Sequence, residues 1–218
     1  MAEILWTPSP ERVASSHLRH FADTLPERFD RYHDLWQWSV TERGSFWQAV
    51  WDYARIIASS PAVRPVGHEA MPGTEWFPGA RLNFAENLLR HRGPEPALIA
   101  AAEDGSFSTI SRDELTQAVA RVQQSLLSFG VRPGDRVAGL VANTPEPIIA
   151  MLATAAIGAI WSSCSPDFGP TGVIDRFGQI QPKVLFTADG YFFKGKPLES
   201  LSRIAEIIRQ IPSVEKLV

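Results

Sequence analysis

The amino-acid sequence predicts an α/β fold: a helical N-terminal extension followed by the first half of a doubly wound, mostly parallel sheet domain. Three observations carry this. Between Gly134 and Lys196, three short apolar runs alternate with two helical patterns, the rhythm of a parallel sheet wrapped by helices. Residues 1–60 instead place their apolar and aromatic residues at helical spacing. The sequence closes on one more strand-like segment, Val214–Val218, with no complete catalytic constellation before it.

Taken in order, Ser45 and Gln48 form a capping-box pattern that opens a helix. Phe46, Trp47, Val50, Trp51, Ala54, Ile57 and Ala58 follow at helical intervals, with Trp36 and Trp38 just upstream. These aromatics read as packing that fastens the extension to a larger body; a ligand cage and a pure interaction domain are the competing readings. Residues 61–81 carry Pro61, Pro65, Gly67, Pro72, Gly73, Pro78 and Gly79, which makes them an irregular connector. Asn83 with Glu86 caps a short helix, FAENLLRH, and His91 to Pro94 ends it. The expected division is therefore 1–94 for the extension and 95–218 for the α/β domain.

Ala97–Ala102 reads as a strand, Glu103-Asp104-Gly105 as a turn and Ser106–Ile110 as the returning hairpin strand. Ser111 and Glu114 make a second capping box. Leu115, Val119, Val122, Leu126 and Leu127 then share one helical face, and Gly130 stands where a left-handed terminator belongs. Pro133-Gly134-Asp135 turns into the strand Arg136–Ala142. Thr144-Pro145 opens a helix that runs to about Gly158, with proline at the favoured first position. Ala159–Ser163 is a strand, Val173, Ile174, Phe177 and Ile180 mark a helix, Val184–Thr187 is a strand and Leu201–Ile211 a helix. The crossovers are expected to be right-handed.

The bulk numbers exclude several classes. A hydrophobic fraction of 44% is too high for a disordered chain. A net charge of −3 lacks the basic excess of a nucleic-acid-binding surface. The one cysteine, Cys164, forms no internal disulfide and no multi-cysteine metal site, which suits a reducing compartment. The opening MAEILWTPSPER lacks the basic-then-apolar order of a secretory signal, and the most apolar stretch, Ile148–Trp161, is shorter than the roughly 20 residues of a membrane span. A cytoplasmic protein is the expectation.

The chemistry-bearing residues are few. Gly190 to Lys196 fits GxxxxGK after a strand, but Pro197 replaces the Ser or Thr that would hold a magnesium ion, and Tyr191, Phe192 and Phe193 are bulky where a phosphate nest needs small residues. Those departures weigh against a nucleoside-triphosphate loop. A simpler reading survives: Lys194 and Lys196, two residues apart in an extended loop, could point one way toward a phosphate. Ordinary solvated lysines are the alternative. Ser162, Ser163, Cys164, Ser165, Pro166 and Asp167 follow a strand and could line a groove. Every histidine (His17, His20, His33, His68, His91) precedes residue 97, so Cys164 has no local base and reads as an inert thiol. His17 and His20 lack a third zinc ligand. Asp167, Asp175 and Asp189 form no evident acid/base pair.

Three strings extend this reading: WFPGARLNFAENLL (Trp76–Leu89), GDRVAGLVANTPEPIIAMLATAAIGAIWSSCSPDFG (Gly134–Gly169) and DRFGQIQPKVLFTADGYFFKGK (Asp175–Lys196). Together they resemble the adenylate-forming acyl-CoA synthetases. WSSCSPDFG and FTADGYFFKGK resemble the acetoacetate-activating ligases of that superfamily more than its acetyl-CoA synthetases. The resemblance covers nearly the whole chain and implies an enzyme that joins acetoacetate to CoA through an acyl-adenylate, releasing AMP and pyrophosphate from ATP, with Mg2+ expected for the complete enzyme. It implies no catalytic residue here, because the family's phosphate loop, adenine and acyl pockets and catalytic lysine match nothing in this sequence. The chain reads as the N-terminal portion of such a ligase, inactive alone, with the remainder of its own chain as partner. What carries over is the CoA side. By resemblance, Ser165, Pro166 and Asp167 lie beside the CoA nucleotide, and Lys196 and, with a one-residue shift, Lys194 approach its phosphates. Lysine stands where the related acetyl-CoA synthetases have arginine at both, which loses the bidentate fork. A ligase for acetate or propionate, and a non-catalytic CoA- or nucleotide-binding module, stay open.

Overall fold

The computed structural model describes residues 5–103 and 105–218, so the Asp104 position of the expected turn lies outside the described residues. The chain divides into two compact units, residues 1–82 and 83–218.

The first unit is helical: α1 (Pro10–Ala14), α2 (His17–Asp23), α3 (Tyr32–Thr41) and α4 (Arg43–Tyr53). Ser9 and Ser16 cap α1 and α2 by accepting from the backbone N–H three residues on. The capping box expected at Ser45 is not what opens α4. That helix starts at Arg43, immediately past the joint residue Glu42 that closes α3, and the Phe46 N–H already bonds the Glu42 carbonyl at 2.9 Å. Ser45 therefore lies inside the first turn. The helix also stops at Tyr53, before Ile57 and Ala58. Phe21, Ala22, Leu35 and Trp38 form a buried core, against which Phe29, Phe46 and Val50 pack. The other aromatics of α4 meet the connector of the same unit: Trp51 lies 4.5 Å from Phe77 and Trp47 5.7 Å from Trp76, ring centre to ring centre. Residues 61–81 are irregular as expected, tied by isolated bridges from Ser60 to Arg81 and from Val66 to Trp76.

The second unit begins with α5 (Phe84–Leu88), which the sequence reading had grouped with the extension. Ala85 is fully buried in the core of this unit. Asn83 does two jobs: its Oδ1 caps the Glu86 N–H at 3.1 Å, and its Nδ2 donates to the Ala155 carbonyl at 2.9 Å. Next come the antiparallel hairpin β1 (Pro96–Ala101) and β2 (Phe107–Ser111), then α6 (Arg112–Ser128). The Ser111–Glu114 capping box is complete, and the Ser111 hydroxyl bond, then its N–H bond, hold the Glu114 carboxyl below the usual range. Leu115, Val119 and Leu126 of α6 are buried, whereas Leu127 is half exposed. One residue along a helix rotates the side chain by about 100°, which carries Leu127 off the face that Leu126 occupies.

Alternation then builds the sheet: β3 (Arg136–Leu140), α7 (Pro145–Ile157), β4 (Ile160–Cys164), α8 (Pro170–Ile180) and β5 (Val184–Thr187). A second small hairpin, β6 (Gly190–Phe193) and β7 (Lys196–Glu199), precedes α9 (Leu201–Arg209) and β8 (Lys216–Leu217). The four parallel strands lie in the order β4-β3-β5-β8. The chain steps from β3 to β4 on one side and returns to β5 on the other. Strands β3 and β5 each feed one core per face. Val137 and Val184 join Leu126, Leu152 and Ala153 on one side; Ala138, Leu140 and Leu185 join Val173, Phe177, Ile204 and Ile207 on the other. Burial on both faces is why these strands read as continuous apolar runs. Gly158 closes α7 in the left-handed conformation, φ +83°, that only glycine adopts without strain.

Candidate functional site

In an open parallel sheet, ligands collect beyond the carboxyl ends of the strands, where the strand order reverses. Here that point lies at the end of β3, between the exits of β4 and β5. Ser165, Pro166 and Asp167 leave β4, while β5 leads through Ala188 and Asp189 into the β6–β7 hairpin. A cleft of about 780 Å³ opens at the ends of β3 and β5, lined by Val141 to Pro147, Thr187, Ala188, Gly190 to Phe192, and the β1–β2 hairpin residues Ala100 to Glu103 and Ser106 to Ser108; Ser165, Pro166, Asp167, Lys194 and Lys196 do not line it.

Lys194 and Lys196 sit on a structure the sequence reading did not anticipate. They are not on an extended loop. Gly190 pairs with Glu199 and Phe193 with Lys196, leaving Lys194-Gly195 as a two-residue turn. Lys194 has φ +52° and Gly195 φ +73°. Positive φ at both positions is what a type I′ hairpin turn requires, with glycine at the second. Lys194 is at the tip and Lys196 on the returning strand; both are exposed. The Lys194 ammonium lies 5.2 Å from the Phe193 ring centre. The hairpin also removes any phosphate-loop geometry, since a strand and not a helix follows the turn.

The structure brings the two candidate segments together through a residue given no role in the sequence reading. Tyr191 on β6 donates its hydroxyl to Asp167 Oδ1 at 3.0 Å, with the Pro166 carbonyl at 3.4 Å. Asp167 is further fixed by its N–H bond to Ser165 Oγ at 3.3 Å. No spacing rule links a strand residue to a turn residue 24 positions away, so only folding reveals this contact. Cys164 is buried; burial pushes its thiol above the ordinary value, against a smaller opposing effect of Arg176. It remains protonated at neutral pH, which suits packing and not nucleophilic attack. His17 and His20 lie on α2 with their rings 6.3 Å apart, and no group of three or more metal-ligating side chains occurs among the described residues.

The model of the AMP-binding enzyme family matches residues 84–217. The chain belongs to that family. A second model, the acetyl-coenzyme A synthetase N-terminus, matches residues 32–88 of this AMP-binding chain. It is 46% identical over 211 residues to the acetoacetyl-coenzyme A synthetase of Rhizobium meliloti, across 95% of this chain and 32% of that protein. It is 38% identical over 225 residues to the acetoacetyl-CoA synthetase of Gallus gallus, across 100% of this chain and 33% of that protein. Malonamoyl-CoA synthetase vrtB of Penicillium aethiopicum is 39% identical over 228 residues, covering 99% of this chain and 31% of that protein. The solved acetoacetyl-CoA synthetase of Streptomyces lividans superposes with a TM-score of 0.95 at 40% identity, covering 99% of this chain and 35% of that one. The chain thus spans about a third of the length of the curated relatives it matches. That superposition establishes the expected α/β fold, a helical N-terminal region leading into a parallel sheet, as an adenylate-forming fold.

Proposed function

We propose that this chain supplies the N-terminal portion of an acid–thiol ligase that converts acetoacetate, ATP and CoA to acetoacetyl-CoA, AMP and pyrophosphate. In the first step the acid's carboxylate oxygen attacks the α-phosphorus of ATP and pyrophosphate leaves. In the second the CoA sulfur attacks the acyl carbon of the adenylate and AMP leaves with the bonding pair. Similarity to acetoacetyl-CoA synthetases along nearly the whole chain supports this class. Similarity to a malonamoyl-CoA synthetase at comparable identity keeps the acyl group, and with it a ligase for acetate or propionate, open to test. Residues 95–218 belong, on this reading, to the adenylate-forming domain, and the cytoplasm is its proposed compartment. No helix among the described residues is long and apolar enough to cross a membrane. The described residues offer no acidic cluster for Mg2+, so no step is assigned to a metal here.

The role of this segment is binding of CoA. One observation carries it: Tyr191 joins the Ser165-Pro166-Asp167 turn to the hairpin bearing Lys194 and Lys196, so two segments expected beside the CoA nucleotide meet at the ligand edge of the sheet. The exposed ammonium groups attract a phosphate, and Ser165 and Asp167 present a small polar rim. The chain alone, mixed with ATP, CoA and acetoacetate, is expected to release no AMP; sustained turnover would refute the division of labour. In the complete ligase, Lys194→Ala and Lys196→Ala are each expected to raise the KM for CoA about five- to thirtyfold, the loss of one charged hydrogen bond. Acetoacetate-dependent ATP–pyrophosphate exchange should stay unchanged. Equal damage to the exchange reaction would remove the CoA assignment, and a preference for acetate over acetoacetate would remove the acyl assignment.

A further inference from the structure

The tip of the lysine hairpin is held from outside. The Glu103 carboxylate, at the end of the β1–β2 hairpin, accepts the Lys194 N–H on Oε1 at 3.2 Å and the Gly195 N–H on Oε2 at 2.9 Å. Those two N–H groups diverge from the ladder in any type I′ turn and would otherwise face water. One carboxylate engaging both spans 92 positions of sequence. An isolated two-stranded hairpin is marginal in water, so an external anchor at its turn matters more than it would in a larger sheet.

We infer that Glu103 is a positioning residue for CoA: by clamping the Lys194-Gly195 turn it sets where the two lysines present their charge to the nucleotide phosphates. This rests on the CoA reading above. Glu103 touches neither reacting atoms nor, on this reading, the ligand. Its negative charge, held at the turn, also opposes anion binding. Solvent and salt screen that repulsion between exposed groups, whereas the two backbone bonds define a geometry that screening does not erase. The net effect of Glu103 is therefore to favour CoA.

The test uses the complete ligase with Glu103→Ala, Glu103→Gln and Lys196→Ala. Glu103→Ala is expected to raise the KM for CoA about three- to tenfold at unchanged kcat and unchanged ATP–pyrophosphate exchange, as for loss of an exposed charge-assisted bond. Glu103→Gln, which keeps an acceptor and loses the charge, should fall between Glu103→Ala and the parent. Adenosine 3′,5′-bisphosphate, the nucleotide portion of CoA, should bind more weakly to Glu103→Ala by a similar factor in calorimetry, and the Lys194 and Gly195 amides should exchange faster. If Lys196→Ala raises the KM for CoA but Glu103→Ala leaves or lowers it, the positioning role is overturned and the CoA reading stands. If Lys196→Ala also changes nothing, the CoA reading falls and takes the positioning role with it.

Discussion

Phe177→Ala is expected to cost the second unit about 3–5 kcal/mol of folding free energy, the range for deleting a fully buried phenyl ring. Phe177 is completely buried on α8. It packs in the core that joins Ala138, Leu140 and Leu185 of the sheet to Ile204, Ile207 and Ile211 around α9. Two costs add. The ring's apolar surface returns to water on unfolding in the parent but not in the variant, and the space left behind is walled by strands that cannot close over it. Domains of this size are stable by only about 5–15 kcal/mol, so a large share of the margin would go. Urea unfolding followed by tryptophan fluorescence and far-UV circular dichroism measures it. A change in stability below about 1 kcal/mol would show that this core is not the one that supports the sheet.

Gly190→Ala is expected to disable the hairpin more thoroughly than removing either lysine. A Cβ built at Gly190 would lie 2.7 Å from the Leu198 carbonyl oxygen, a separation that real Cβ atoms essentially never show. The neighbour is backbone on the partner strand, so no rotamer change relieves it. Relief requires β6 and β7 to move apart, and the ladder between them is only four residue pairs long, Gly190–Glu199 to Phe193–Lys196. Once it opens, Tyr191 leaves Asp167 and the turn leaves Glu103. The expected result in the complete ligase is at least a tenfold rise in the KM for CoA, since several polar contacts are lost together, with pyrophosphate exchange retained. A KM for CoA within twofold of the parent would mean that the hairpin's pairing does not matter for the cofactor. Loss of exchange along with CoA binding would mean that the substitution unfolds more than the hairpin.

Much of the sheet is legible in the residues because its signals are local. The Ser111–Glu114 box, proline at the start of α7 and glycine at its end act within one helical turn of themselves, and each is found where expected. Val184–Thr187, four apolar or β-branched residues bounded by Pro182 and Asp189-Gly190, is a strand paired on both sides. The errors occur where two elements compete. Ser45 has the right residue type for a cap, but α3 ends so close upstream that Glu42 becomes the joint. Lys194 and Lys196 were expected on an extended loop, yet Pro197 pairs with Phe192 in a ladder of only two strands. Proline is tolerated on such an edge, where its missing N–H faces outward. Lys-Gly is also a weaker turn signal than Asn-Gly, because lysine pays a steric cost at positive φ.

The candidate site divides in the same way. Its chemistry is written in the chain: two lysines and a small polar turn after an apolar strand. Its geometry is not. Tyr191 reaches Asp167 and Glu103 reaches Gly195 only after strands order themselves as β4-β3-β5-β8 and two hairpins are brought alongside. By itself the amino-acid sequence determined the class of fold, the alternation of strands and helices from β3 to α9 apart from the β6–β7 hairpin, and the family, because periodicity, caps and motif strings are short-range information. The tertiary structure alone decided that Lys194 lies in a tight turn with Lys196 on the strand that follows and that a carboxylate 92 residues away holds that turn, because such contacts come from packing, which no local pattern encodes.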